Sequence, residues 1–349
     1  MSDRNKKIDL LRLVFCIMIV VYHCNKLVGK SVYFAKGWYI AIEFFAIVSG
    51  IFLMSSMEKK LEMSCIFWKK WKGIYSVYLI SYFFAFFLIQ IVDHTGLKKS
   101  IKLLYRSVGN IFLFEMTGMD IFNGYCLQGS WYISAMLWSI LLIFFIFIIS
   151  GKWFSQVIAP LLVILFIGYF NKTYGRIHRT HDWNFIFYSG TIRIAAELLL
   201  GCICYKIGQI LRKKYRKYKR ILEKMEILLY ITVIVASYFY SNSSYDFIYL
   251  VLLAIAITIT FSFGEVSKNF LVLNKISQKG ERISLLVYLN HLWLLYIVKK
   301  LEFSMTVKIF LFLFSLLISC LLIHNIDKTV YKVIEKYKLY RKAILLKKK

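Results

Sequence analysis

Proline is almost missing from this chain: a single residue, Pro160, stands in 349. Kinks in its long helices must therefore come from glycine or from breaks in the helices themselves. No stretch rich in glycine, serine and proline interrupts the sequence, so nothing divides it into two compositional classes. It reads as one membrane-embedded domain over 1–349. Acidic residues are scarce too, 18 Asp and Glu against 46 Lys and Arg, for a formal net charge of +28. The seven cysteines include no Cys-x-x-Cys pair. Cys16, Cys65, Cys126, Cys202, Cys204 and Cys320 lie inside apolar runs, with Cys24 near a helix end. That is the pattern of small hydrophobes in a membrane core, not of a disulfide framework or a metal site.

What the chain has in abundance is apolar surface: 60% hydrophobic residues and a mean hydropathy of +0.64. A nucleic-acid binder can carry +28, but it does not also thread apolar runs of about 20 residues through most of its length. Soluble globular and disordered classes are excluded with it. Such runs fall near 8–28, 38–57, 75–93, 131–150, 153–170, 191–209, 226–241, 245–263, 284–298 and 305–325. They predict an all-α, polytopic integral membrane bundle of about ten transmembrane helices. The segment 111–116 is too short to span and is expected at the interface or as a re-entrant piece. The first run follows Arg4, Lys6 and Lys7 as a signal peptide would. It carries Arg12 and His23, however, and lacks a small-residue cleavage motif, so it is read as a retained first helix.

Lys and Arg set the direction. With the N-terminus cytoplasmic, 31 of them fall in inside segments and 13 in outside segments, which predicts both termini in the cytoplasm and a multi-pass protein of the cell membrane. The blocks Arg212–Arg220 and Lys347–Lys349, the latter in a basic tail from about 326, resemble nucleic-acid patches in isolation. Beside membrane helices their expected partner is anionic membrane lipid.

An ionisable residue inside a membrane helix is costly, which makes each one a functional candidate. Arg12 and His23 are 11 residues apart, close to three turns, and share a face. Asp9 lies three residues before Arg12 on that face, placed for a local ion pair. The bland alternative is that Asp9 and Arg12 snorkel at the interface. His23 lies roughly 22 Å beyond Ile8, past the midplane, where a neutral imidazole is a good proton acceptor. The second helix holds Glu43 near its outer end and the pair Ser49–Gly50, suited to close helix packing. A basic loop, Phe67–Tyr75, interleaves Lys69, Lys70 and Lys72 with aromatics. Each lysine alone reads as a positive-inside anchor, and together they can receive phosphates. His178, His181 and Asp182 form a polar outside loop without a third distant ligand, so no metal is expected. His291, between Asn290 and Trp293, either lines the site or is a satisfied bundle histidine, while His94 and His324 read as interfacial.

These blocks together resemble the family 3 membrane acyltransferases, ten-helix proteins that O-acylate sugars, cell-wall polymers and antibiotics. Asp9, Arg12 and His23 match that family's Asp-x-x-Arg with His eleven residues after the Arg. Glu43-Phe44-Phe45-Ala46-Ile47-Val48-Ser49-Gly50-Ile51-Phe52 matches its second-helix signature with one added Ile51. Lys69, Lys70 and Lys72 stand where it more often has Arg, and Ser76 replaces its Pro. Gly129-Ser130-Trp131-Tyr132-Ile133-Ser134-Ala135-Met136, Arg193 to Gly201, and Tyr288-Leu289-Asn290-His291-Leu292-Trp293 resemble later family helices. The resemblance runs from the first to the ninth helix.

The resemblance implies transfer of an acyl group, usually acetyl, from acetyl-CoA to a hydroxyl of an envelope polysaccharide or its lipid-linked precursor. His23 is then the general base, with Arg12 and Asp9 beside it in the catalytic motif. Glu43, Ser49, Trp131, Ser134, Arg193 and His291 are supporting residues, and Lys69, Lys70 and Lys72 hold the donor's phosphates. Acyl-CoA enters as a substrate, not as a bound cofactor. The rival from another class is a transporter or flippase for a glycan or lipid-linked intermediate, which would also bury Asp, Arg, Glu and His. Its repeated halves have no counterpart here, since no second copy of the Asp9–Arg12–His23 pattern occurs.

Overall fold

Apolar runs with no proline to interrupt them satisfy their backbone groups internally, and in a bilayer a helix does this within one segment. The computed structural model describes residues 5–28, 34–118, 127–240, 244–263 and 271–347. The chain opens with α1 (Lys6–Val28), α2 (Ala41–Glu58) and α3 (Met63–Val92), then the short α4 (Leu97–Arg106) and α5 (Val108–Ile111). Next come α6 (Ser130–Ser150), α7 (Ala159–Tyr174), a hairpin of β1 (Trp183–Asn184) and β2 (Phe187–Tyr188), and α8 (Ser189–Lys214). The last four are α9 (Lys219–Phe239), α10 (Tyr245–Phe263), α11 (Leu271–Lys300) and α12 (Met305–Lys347).

Eight described helical segments are long and apolar enough to cross a membrane. The two other expected spans fall in α9 and α11. Charge in their first turns, and Asn290 with His291 in mid-helix, make both less apolar. Pro160 sits in the first turn of α7, directly after a π-helical turn at Phe154–Ile158. Its missing N–H and fixed φ are tolerated there. One expectation needs correction. The basic segment Phe67–Tyr75 is not a loop: it forms the first turns of α3, held by rings of Phe67, Trp71, Tyr75, Tyr78 and Tyr82 that succeed one another along the helix. The basic tail from 326, for which the sequence set no secondary structure, continues α12 to Lys347. Neither segment contains a proline, and side chains three and four apart support each other on a helix surface.

Helix register follows from the contacts. α1 and α11 run parallel, since Arg12 meets Glu281, the Cys16 thiol donates to the Ser284 carbonyl, and His23 lies beside His291. α3 joins them in the same sense: Arg282 reaches the Gly73 carbonyl, Asn290 donates to Ser81, and Tyr296 and Lys300 hold Asp93. α2 is antiparallel to α1, with Phe15 stacked on Phe44 at 4.3 Å and Tyr22 against Tyr39 at 5.6 Å. It runs parallel to α8 and packs on it backbone to backbone. A Cβ on Gly50 would strike the Leu198 carbonyl oxygen, and one on Gly201 the Ile47 carbonyl oxygen. α12 folds back, so that its Asp327 pairs with Arg282 of α11 and accepts from Ser76 of α3.

The 111–116 segment is tied to the bundle. Leu113 and Met116 are buried. Ser134 and Trp138 of α6 donate to the Leu113 carbonyl, the Met116 N–H donates to Ser134 Oγ, and Thr191 of α8 donates to the Met116 carbonyl. A non-helical backbone is tolerated against the bundle because two helices supply its partners.

Candidate active site

One face of α1 turns toward the bundle interior, and the polar residues gathered along it form a column in four tiers. The first holds Arg12 and Asp9, joined at 2.9 Å, with Glu281 of α11 at 3.4 Å from the guanidinium. Gly280 gives α11 room here, because a Cβ would strike the Asp9 carbonyl. Arg12 also lies over the Phe52 ring at 5.7 Å. Lys70 turns inward to this tier and reaches Ser49 Oγ at 3.4 Å. Lys69 and Lys72 are exposed. Of the three lysines predicted to act together, the fold thus brings one to the column.

The Tyr132 hydroxyl reaches Ser49 from α6 and links this tier to the next. There Arg193 Nη2 donates to Glu43 Oε1, and Arg193 Nε donates to Glu197 Oε1 at 3.1 Å. All three are shut away from solvent, at 2%, 0% and 2% exposure. The Trp131 ring lies 5.8 Å from the guanidinium. Arg193 and Glu197 share a face because they are four residues apart in α8. Glu43 joins them because Gly50 and Gly201 let α2 approach α8 so closely.

The third tier holds the two imidazoles, His23 and His291, with ring centroids 5.2 Å apart. His291 Nδ1 lies 2.7 Å from the Tyr288 carbonyl oxygen and 3.2 Å from that of Val287. Carbonyls only accept, so Nδ1 carries a proton and Nε2 is the nitrogen turned away from these carbonyls. Tyr288 donates to the Gly129 carbonyl at 2.6 Å and packs edge-on against Tyr132.

Above the histidines the loop between α7 and α8 closes over the column. His178 stacks on Tyr39 at 4.3 Å, and its Nε2 lies 3.3 Å from the Tyr22 hydroxyl. Asp246 of α10 pins the loop by accepting from Tyr39 at 2.7 Å and from the Ile177 N–H at 3.1 Å. Burial, reinforced by the guanidiniums of Arg193, Arg176 and Arg179, pushes His178 down to about 3 from its ordinary 6.5. It is a neutral ring at physiological pH.

The helical rise separates Arg12 from His23 by about 16 Å, so the first-helix motif serves two tiers and Arg12 does not touch the imidazole. Ser134 stands apart, committed to the 111–116 segment. His178 and His181 diverge, the first to Tyr22 and Tyr39 and the second to Thr180 at 2.8 Å. Glu197, Tyr132, Tyr288, Glu281 and Asp246 were not singled out from the sequence. The signal for Glu197 was present, an acid in a membrane helix one turn after an arginine. The others depend on tertiary contacts that the sequence does not display.

No characterised protein and no solved structure matches the chain. A family model, Acyl_transf_3, described as an acyltransferase domain, matches residues 5–324. That span covers nearly the whole chain, including every tier of the column. By this match the protein belongs to the Acyl_transf_3 family of acyltransferases.

Proposed function

We propose that the protein is an integral membrane O-acyltransferase that moves acetyl from acetyl-CoA to a hydroxyl of a cell-envelope polysaccharide or its lipid-linked precursor. In this reading all ten long helices cross the cell membrane as one domain, with both termini cytoplasmic and the basic segments on anionic lipid. The observation that carries the chemistry is the His23–His291 pair, two imidazoles side by side in the bundle interior at the end of a polar column.

A sugar hydroxyl is a poor nucleophile until a base accepts its proton. His23 takes that proton as the hydroxyl oxygen attacks the thioester carbonyl. The tetrahedral intermediate collapses, the carbon–sulfur bond breaks, and the imidazolium returns the proton to the departing thiolate. No net proton is gained or lost. Lys70 and Arg12 lie in one tier beside Ser49, placed to receive the donor's phosphates and pantetheine amides from the cytoplasmic end. Asp9 holds Arg12 in place.

His23→Ala should lower acyl transfer by 10²-fold or more, the scale of general-base catalysis, with the protein still inserted and folded. Release of free CoA by purified protein, together with NMR of the envelope polysaccharide from cells with and without the gene, checks this. Normal O-acetyl signals from the variant would remove His23 from the mechanism. A polymer identical with and without the gene would favour a transporter.

A further inference from the structure

The Arg193 tier is over-supplied with unsatisfied valences. Arg193 Nη1, Glu43 Oε2 and Glu197 Oε2 are each buried without a hydrogen-bond partner among the described residues. A buried polar group left unpaired is costly, and more so when charged. Three such atoms on three neighbouring side chains are unusual enough in a native fold to need a reason. Their chemistry is specific: a guanidinium N–H that only donates, beside two carboxyl oxygens that share a single cation between them. The thioester group itself brings no hydrogen to the carboxyl oxygens, and the donor's pantetheine amides are assigned to the Lys70–Arg12 tier. A pair of neighbouring hydroxyls can satisfy the set, since each donates to one carboxylate and one of them also accepts from the guanidinium.

The level of the tier fits an acceptor as well. Glu43 follows Tyr39 by four residues, one turn or about 6 Å of rise. The Tyr39 ring packs on Tyr22, the neighbour of His23. The triad therefore lies about one turn from the imidazole pair, on the side toward Arg12, and the two tiers meet through Tyr288 and Tyr132.

Building on the acyltransferase reading, we propose that Arg193, Glu43 and Glu197 form the acceptor subsite and bind a vicinal diol of a sugar ring. Arg193 Nη1 donates to one hydroxyl, and Glu43 Oε2 and Glu197 Oε2 accept from the two. A third hydroxyl of the same residue is thereby presented to His23. Glu197 is a binding residue of this subsite, and the Trp131 ring backs the guanidinium against displacement.

The test uses full-length protein in membranes, labelled acetyl-CoA, and the polysaccharide fraction of cells from which the gene has been deleted. Glu197→Gln keeps the shape and turns one acceptor oxygen into an amide donor, and Arg193→Lys keeps the charge and removes the guanidinium fork, Nη1 with it. Each should raise the acceptor's apparent KM at least ten-fold while leaving that of acetyl-CoA within two-fold. Periodate cleavage of the polymer's vicinal diols should abolish its use by the wild type. Label incorporation by the wild type with the same acceptor dependence in both variants would overturn the subsite, leaving a triad filled by water. Loss of acetyl-CoA binding in both variants would also overturn it, by making the triad structural. If wild-type membranes incorporate no label, the acyltransferase reading fails and the subsite fails with it.

Discussion

Arg12 and Asp9 are each worth more to the fold with the other than alone. Both are buried, and removing one member of a buried pair typically costs about 3–5 kcal/mol, while replacing both by apolar groups is often neutral. Arg12→Met should accordingly lower the unfolding temperature in detergent, and Asp9→Leu added to Arg12→Met should restore most of it. Acyl transfer should stay low in both variants, because the donor has lost its guanidinium. A double variant as unstable as the single would show that the pairing is not what holds Arg12. The same reasoning separates the lysines. Lys70 touches Ser49 inside the bundle whereas Lys69 and Lys72 face outward. Lys70→Ala alone should raise the apparent KM for acetyl-CoA several-fold, with Lys69→Ala and Lys72→Ala near the wild-type value. Equal effects from all three would place the phosphates outside the bundle.

Between elements, the α2–α8 contact decides whether the Arg193 tier exists at all. Gly201→Ala should destabilise by about 1–3 kcal/mol, the usual cost of overpacking, because its new methyl meets backbone that cannot rotate away. Gly73→Ala in α3 is the matched control: nothing lies within 4 Å of its Cβ position, and a helix gains roughly 0.5–1 kcal/mol from the exchange. Thermal unfolding of the two variants should shift in opposite directions. The loop over the column responds to pH instead. Because docking holds His178 near 3 against an ordinary 6.5, the released loop binds a proton that the docked loop refuses across that interval. Docking is therefore strongest above pH 6.5 and weakens as the pH falls. Hydrogen exchange at the Ile177 amide, corrected for its intrinsic rate, should quicken from pH 7.5 to pH 5, and His178→Gln should flatten the difference. The sequence displays the Asp9–Arg12 and Arg193–Glu197 pairs because one helical turn joins each of them. It hides the His23–His291 and Tyr22–His178 contacts, whose partners are far apart in the chain and meet only through helix register.

For the whole molecule, apolar periodicity made the spans legible and charge their expected direction, while helix ends in basic sequence stayed hidden. Lysine favours a helix as readily as a loop, which is why Phe67–Tyr75 and the tail continue α3 and α12. α12 has 43 residues, about 64 Å at the helical rise, against a hydrocarbon core of about 30 Å. Its final half cannot lie in the core if the helix stands upright. Over the first turns of that half, Val330, Tyr331, Val333, Ile334 and Tyr337 are exposed, between Lys328, Lys332 and Lys336. The sequence from 326 onward holds nine basic residues and two acidic ones. Such a segment gains from an anionic leaflet by about 1 kcal/mol for each basic residue near the surface, an attraction that salt screens. Its apolar side chains then enter the headgroup boundary. A peptide of residues 328–349 should become helical on vesicles containing anionic lipid, stay unfolded on zwitterionic ones, and be released by high salt. Equal binding to both vesicle types would show that burial of the apolar face, rather than charge, holds the tail. Removing the tail after Thr329 keeps Asp327 and its pair with Arg282, so acyl transfer should persist in the shortened protein. Loss of transfer there would mean that the tail does more than sit on lipid.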